Sequence, residues 1–327
     1  MSVAAPSPGM PPAGAPASGA PPPPDARGGA MTSADVEGLV RRRARSRRLG
    51  RWAIHVALLV LAAFFLMPLV VMVMTSLKTM PEIRTGTLLS PPVAPTLDAW
   101  RLAWSEACIS VSCEGLSSYF VNSFVIVIPA VVLSVAFGAL NGYVLTKWRF
   151  PGANLVFGML LFGCFIPFQI VLIPMARTLG FLGLSGTPAG LVLVHFVYGI
   201  SFTTLFFRNF YVSVPDDLMK SARIDGAGFW AIFVRILLPL SWPIVIVSVI
   251  WQFTNVWNDF LFGVSFAAGD AQPVTVALNN LVNTSTGVKA YNVDMAAAVI
   301  AALPTILVYV VAGRYFMRGL MSGAVKG

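Results

Sequence analysis

Charge is scarce in this chain of 327 residues, only 11% of which are Asp, Glu, Lys or Arg. A soluble globular domain carries about 25% charged residues, so a water-soluble fold of this size is disfavoured. Histidine is scarcer still, at two residues, and cysteine stops at three. No group of His, Cys and acid has metal-ligand spacing, so no metal centre is expected. No Gly-x4-Gly-Lys-Ser/Thr loop is present, and ATP binding of the P-loop kind is not expected. Neither a Ser–His–Asp set nor a pair of carboxylates is supported. The chain therefore reads as non-enzymatic, with no catalytic, metal or cofactor-binding residue and no cofactor. The same want of a reactive constellation counts against a membrane-embedded enzyme, and the want of a filter-like ring counts against a channel.

Apolar residues, by contrast, make up 57% of the chain and arrive in long blocks. A bilayer core about 30 Å thick is crossed by roughly 20 apolar residues in a helix. Six blocks qualify, at roughly 52–76, 119–145, 154–175, 187–207, 241–265 and 294–313. The predicted fold class is an all-α membrane protein with six transmembrane helices. The third and fourth blocks contain Pro167, Pro174 and Pro188, breaks that neighbouring helices can satisfy inside a bundle.

The formal net charge of +9 is concentrated before the first block, in Arg27, Arg41, Arg42, Arg43, Arg45, Arg47, Arg48 and Arg51. That placement fits a cytoplasmic flank against anionic headgroups better than a nucleic-acid arm, so membrane lipid is the expected partner and nucleic acid is not. With six spans, only Lys78, Arg84, Arg101, Arg177 and Lys289 fall on the far side, and all the remaining Lys and Arg lie on the side of the N terminus. The positive-inside rule then puts both termini in the cytoplasm, in the inner membrane. Residues 1–30, rich in Pro, Ala and Gly, cannot bury enough surface to offset chain entropy and read as disordered. A cleaved signal peptide fits poorly, because the apolar block starts late and runs long. The expected organisation is a tail at 1–50 and a transmembrane domain at 51–327, with its core at 118–313 and a long inside loop at 208–240. Cys108 and Cys113 fall in the first outside loop, where an oxidising compartment would join them; two free thiols fit the spacing as well. Cys164, in the third block, reads as a packing residue.

The inside loop is patterned. Ser213 with Asp216 three residues later marks a helix start, with Pro215 in the first turn. A short helix through Leu218, Met219 and Ala222 is expected to end at Asp225-Gly226-Ala227, where Gly226 permits a bend and Asp225 caps a second helix carrying Phe229, Trp230, Ile232 and Phe233. Such a helix–bend–helix either lies in the lipid interface or inserts its aromatics into a groove on a soluble partner.

Lys220-Ser221-Ala222-Arg223-Ile224-Asp225-Gly226-Ala227, continuing to Ile236-Leu237-Leu238-Pro239-Leu240, resembles the "EAA" signature of binding-protein-dependent ABC importer permeases. Asn122-Ser123, Gly142-Tyr143, Arg149-Phe150-Pro151-Gly152 and Arg208-Asn209-Phe210 match the family in order, and the resemblance covers about 52–327. It implies the type I importer permease fold, with this loop as a coupling helix docked on an ABC ATPase dimer. The implied coupling residues are Lys220, Ala222, Asp225, Gly226, Ala227, Phe229, Trp230, Phe233 and Pro239. Implied partners are the ATPase, a second homologous permease and an external periplasmic sugar-binding protein. Lys220 and Ser221 stand where the family has Glu and Ala, so either the ATPase has compensated or docking is carried by Asp225 and the aromatics. The chain looks most like the carbohydrate branch, in the subgroup of the second maltose-system permease. Trp257-Asn258-Asp259-Phe260 and Gln272 through Asn280, with the Arg314–Gly327 tail, resemble glucose/mannose importer permeases.

Asp259 is expected inside span 5, where an unpaired charge costs roughly 2.5–3.5 kcal/mol and so must face a cavity or a partner. With Trp251, Gln252, Asn255, Trp257 and Asn258 it forms a polar and aromatic stripe. Asn255, Trp257, Asn258 and Asp259 are the candidate sugar pathway; a helix–helix hydrogen-bond seam is the other reading. His195, alone in span 4, reads as a buried hydrogen-bonded residue. The rival to an ATP-driven importer is a secondary transporter run by an ion gradient, which predicts inverted repeats and several intramembrane acids.

Overall fold

The computed structural model describes residues 33–109, 112–148, 150–283 and 289–324, with side chains described between Arg48 and Gly313. The expectation of disorder over 1–30, and Arg149 of the quoted motif, lie outside the described residues. Two compact units meet between Phe65 and Leu66, inside helix α1 (Ser33–Ser76). α1 is already helical from Ser33, so the basic stretch assigned to a tail at 1–50 is helical in its backbone. Within the first unit every described side chain from Arg48 to Phe65 is exposed, as suits a helix surrounded by lipid.

The second unit is helical throughout its described length, apart from turns and two isolated bridges. Its helices are α2 (Met80–Thr85), α3 (Asp98–Ser105), α4 (Ser117–Lys147), α5 (Ala153–Phe165), α6 (Phe168–Phe181), α7 (Pro188–Ser213), α8 (Asp216–Ile224) and α9 (Phe229–Ile232). A π turn, Phe233–Leu237, leads into α10 (Leu238–Leu240), followed by α11 (Trp242–Trp257), α12 (Leu261–Phe266), α13 (Val274–Val282) and α14 (Tyr291–Ala324).

Four stretches among the described residues are long and apolar enough to cross a bilayer as single helices: Arg48–Ser76, α4, α7 and Tyr291–Gly313. Two bent pairs, α5 with α6 at 104° and Phe229–Leu240 with α11 at 77°, raise the number to as many as six where each pair is counted as one span. Two expected spans are thereby corrected. The block at 154–175 is not one straight helix, because Ile166 is extended (ψ 121°) before Pro167, which starts α6. The block at 241–265 is helical only to Trp257, and the chain breaks at Asn258–Phe260 before α12.

α4 and α7 form the most extensive helix pair, and small residues explain their approach. A Cβ on Gly142 would lie 2.7 Å from Cβ of Phe207, and one on Gly138 would collide with Thr203. Without a hydrophobic drive between helices in lipid, close backbone contact and interhelical hydrogen bonds hold such pairs. Thr203 Oγ1 donates to the Ser134 carbonyl at 2.7 Å. Gln252 of α11 ties in the third helix, donating to Ser134 Oγ and to the His195 carbonyl, both at 3.1 Å.

A folded strap follows α1. The Glu82 carboxylate accepts from the backbone N–H of Thr79 (2.9 Å), Val93 (2.9 Å) and Ala94 (3.0 Å). These bonds hold its pKa below the usual carboxylate value, the Thr79 N–H most of all. Lys78 is buried and donates to the Thr87 carbonyl and Ser90 Oγ, while Asn292 of α14 donates to the Lys78 carbonyl at 3.1 Å. Cys108 and Cys113 are joined in a disulfide just beyond α3.

Candidate functional sites: a docking loop and an intramembrane cavity

The segment between α7 and α11 is built from its own caps. α8 places Asp216 and Asp217 in its first turn and Arg223 in its last, each sign matched to the helix dipole. It ends in a Schellman motif: the Ala227 N–H reaches the Ala222 carbonyl (2.9 Å), the Gly226 N–H reaches that of Arg223 (3.1 Å), and Gly226 takes φ +80°. Asp225 is therefore the C-cap of α8 and not the cap of the next helix, whose N-cap is Gly228, with no side-chain cap. Ser213 likewise caps nothing ahead of it; its hydroxyl donates back to the Phe210 carbonyl inside α7, and Pro215 is the N-cap of α8. The π turn has a local cause. Pro239 offers no N–H to the helix ladder, and the Leu238 N–H reaches back five residues to Phe233.

Phe229 and Phe233, two of the three aromatics between α7 and α11, face inward. Tyr143 of α4 lies 4.8 Å from the Phe229 ring and 5.5 Å from the Phe233 ring, and its hydroxyl donates to the Phe229 carbonyl. Trp148 stands edge-on to Phe229 at 5.0 Å. Lys147, with its side chain only 4% exposed, donates to Asp216 Oδ1 (2.7 Å) and to the Val214 carbonyl (2.6 Å). Arg223 returns the tie, donating to the Lys147 carbonyl at 3.3 Å. The opposite face is bare: Ile224 is 85% exposed and Trp230 61%. Lys220 is exposed and bonded to Asp217 at 2.8 Å, and that bond raises its pKa.

Of the predicted loop residues, Ala222 is buried and Phe229 and Phe233 pack on Tyr143 of α4, whereas Lys220, Asp225, Gly226, Trp230 and Pro239 are exposed and Ala227 is half-buried. The helix–bend–helix thus has an anchored side and a free side.

Further into the bundle lies a cavity of about 320 Å³. His195 and Tyr198 of α7, Trp251, Gln252 and Asn255 of α11, and Asp259 line it, with Phe168 at the α5–α6 break. Asp259 sits in the break after α11 and not within a helix. Its carboxylate accepts from the N–H of Phe262 (3.4 Å) and Gly263 (3.1 Å), and lies 3.8 Å from His195 Nε2. The Tyr198 hydroxyl is buried with no hydrogen-bond partner among the described residues. The Trp251 ring packs on Phe202 at 4.6 Å.

The structure separates the four residues of the candidate sugar pathway. Asn255 and Asp259 reach the cavity. Trp257 is 1% exposed, stacks on Phe253 at 5.7 Å and donates from Nε1 to the Ala301 carbonyl at 2.9 Å, which makes it core. Asn258 accepts from Thr305 at 3.3 Å and does not line the cavity. Trp257 turns away because it lies two residues on from Asn255, about 200° around α11, whereas Asn258 and Asp259 lie in the break beyond the helix, where helical phase no longer sets direction. His195 and Tyr198 were not assigned to the site; their spacing of three, followed by Phe202 four later, is the signal that places them on one face of α7.

Residues 119–320 match the family described as the binding-protein-dependent transport system inner membrane component. The chain belongs to this family. A probable ABC transporter permease protein of Pyrococcus horikoshii is 38% identical over 279 residues, 85% of this chain and 98% of that one. The xylose/arabinose import permease protein XacI of Haloferax volcanii is 34% identical over 301 residues, 85% of this chain and 93% of its own. In fold, the chain matches a subunit in the crystal structure of a bacterial ABC transporter involved in importing the acidic polysaccharide alginate, with a TM-score of 0.69 at 22% identity, over 83% of this chain and 98% of that one. As an inner membrane component, the chain presents two places where chemistry concentrates: an anchored loop at one end of the bundle and a polar cavity within it.

Proposed function

We propose that this chain is a permease subunit of an ATP-binding-cassette sugar importer, itself non-catalytic, with ATP hydrolysed on a separate ATPase dimer. The observation that carries the reading is the two-sided loop. Its inner face is fastened to the end of α4 through Lys147 and Tyr143, and its outer face leaves Ile224, Trp230 and Asp225 for a soluble partner in the helix-in-groove manner. An ATPase bound there pulls on α4 directly. A second homologous permease completes the translocation path, a periplasmic sugar-binding protein delivers the cargo, and both termini face the cytoplasm.

Glucose or mannose is the proposed cargo. The cavity offers what a sugar needs: donors and acceptors in Asn255, Asp259, His195 and the unpartnered Tyr198 hydroxyl, and an indole face in Trp251 for stacking. That the relative XacI is named for xylose and arabinose supports a monosaccharide.

Uptake of labelled glucose, mannose and xylose, in cells deleted for the gene and complemented with it, tests the assignment. Glucose or mannose uptake is expected to vanish and return. Loss of xylose uptake alone moves the substrate, and uptake stopped by an uncoupler while ATP is maintained replaces the reading with an ion-driven carrier. Asp225→Arg is expected to strip a co-purifying ATPase from the complex without lowering the amount of inserted chain.

A further inference from the structure

At the end of the bundle that carries α8, a second cavity of about 460 Å³ lies among the last turn of α4, the first turn of α5 and the last turns of α7. Among the described residues two cations line it, and they differ in state. The Lys147 ammonium is committed to Asp216, which also lines the cavity, and to the Val214 carbonyl. The Arg208 guanidinium lies 4.3 Å from the centre of the Phe157 ring, and among the described residues no carboxylate is bonded to it. A ring face satisfies the plane of an arginine and leaves its N–H edge for a second partner.

The start of α5 closes the cavity beside Arg208. Gly152 takes φ +90° there. The N–H groups of Ala153 and Val156 find the carbonyls of Phe150 and Gly152, while those of Asn154 and Leu155 have no bonded acceptor among the described residues. Donors at a helix start favour an anion, and here they stand next to a guanidinium bonded to no carboxylate among the described residues. The location narrows the anion. α4 and α7 end at this level as membrane-crossing helices, and α5 runs on with Met159 (59%) and Phe162 (69%) exposed along its flank. A ligand with a phosphate in the cavity and an apolar body along α5 fits both halves.

We propose that this cavity binds the headgroup of an anionic phospholipid, with Arg208 and the first-turn donors of α5 holding the phosphate and the acyl chains lying against α5. The inference rests on the membrane placement of the chain and stands independently of the sugar assignment.

The test uses the full chain with whatever co-purifies, reconstituted into nanodiscs of mixed phosphatidylglycerol and phosphatidylcholine, and native mass spectrometry of the lipids retained on release. Wild-type protein is expected to retain phosphatidylglycerol over phosphatidylcholine. Arg208→Gln is expected to lower that retention about fivefold, the factor equivalent to one basic residue at an anionic surface. Arg208→Lys is expected to restore part of it. Asn154→Asp, which leaves Arg208 in place and puts a carboxylate in the cavity, is expected to act like Arg208→Gln and serves if that variant does not fold. Equal retention of both lipids by wild type, or unchanged retention in both variants, overturns the proposal. Displacement of phosphatidylglycerol by millimolar inorganic phosphate identifies a free-anion site and overturns the lipid assignment.

Discussion

Lys147 touches α8 without belonging to it, and its near-complete burial makes that touch consequential. Hydrogen bonds to a charged group contribute about 1.5–3 kcal/mol, so Lys147→Met is expected to loosen α8 from α4 by that order. The measurement is transport per ATP hydrolysed in the purified complex. Lys147→Met should lower the ratio while ATPase activity persists, and Lys147→Arg should recover it; an unchanged ratio in Lys147→Met removes the residue from the linkage. Trp257 is a contrasting residue. Trp257→Phe gives up the bond to the Ala301 carbonyl and should cost about 1 kcal/mol in thermal unfolding, with sugar selectivity unaltered. Trp251→Ala, at the cavity wall, should change selectivity with little loss of stability.

Glu82 supplies the pH dependence of the strap. Its pKa is lowered in the folded chain by the N–H groups it accepts from, so its contribution is present above the unfolded carboxylate value and is lost as pH falls through the lowered folded one. Hydrogen exchange of the amides of Val93 and Ala94 should therefore lose protection only below pH 4.5, the ordinary glutamate value. In Glu82→Gln the protection should be low at every pH; retained protection in that variant would locate the restraint elsewhere.

At the scale of elements, the crossing of α4 and α7 is decided by two glycines. Gly142→Leu forces the backbones apart at Phe207, and overpacking of this kind costs about 1–3 kcal/mol, readable as a lower melting temperature in detergent. The elements themselves were largely legible in the chain. Long apolar blocks announce α4 and α7 because lipid demands length, and Asp216 through Ala222 announce α8 because its caps and charges are local. The breaks were less legible. Pro167 marks where α5 stops, yet nothing local says that α6 turns by 104° instead of continuing. Asp225 precedes a glycine and a helix, a pattern shared by an N-cap and a C-cap; only the bond from Ala227 to Ala222 distinguishes them. His195 and Asp259 are 64 residues apart in a chain read one helix at a time, so their meeting at 3.8 Å depends on how α7 and α11 rotate against each other.

On the scale of the whole molecule, the proposed orientation, with both termini in the cytoplasm, puts the Cys108–Cys113 disulfide on the side that carries few basic residues, where an oxidising compartment would favour it. An epitope tag at either terminus is expected to resist protease in intact spheroplasts and to be cut in everted vesicles. A tag cut in spheroplasts would invert the topology and with it the side on which α8 lies. The two candidate sites sit at different depths, and the helices they share, α7 and α11, flank the loop and line the cavity, which leaves no need for a separate element to connect them.

The π turn at Phe233–Leu237 also acts as a phase setting. One residue of an α-helix corresponds to a rotation of about 100°, so deleting a single residue there would restore ordinary winding and swing Trp230 away from its present azimuth. The segment would remain apolar, helical and equally able to enter the bilayer, but its free side would point elsewhere. The surplus residue thus works like the offset between two gears, fixing which face of the loop a partner meets when α11 stands where it does.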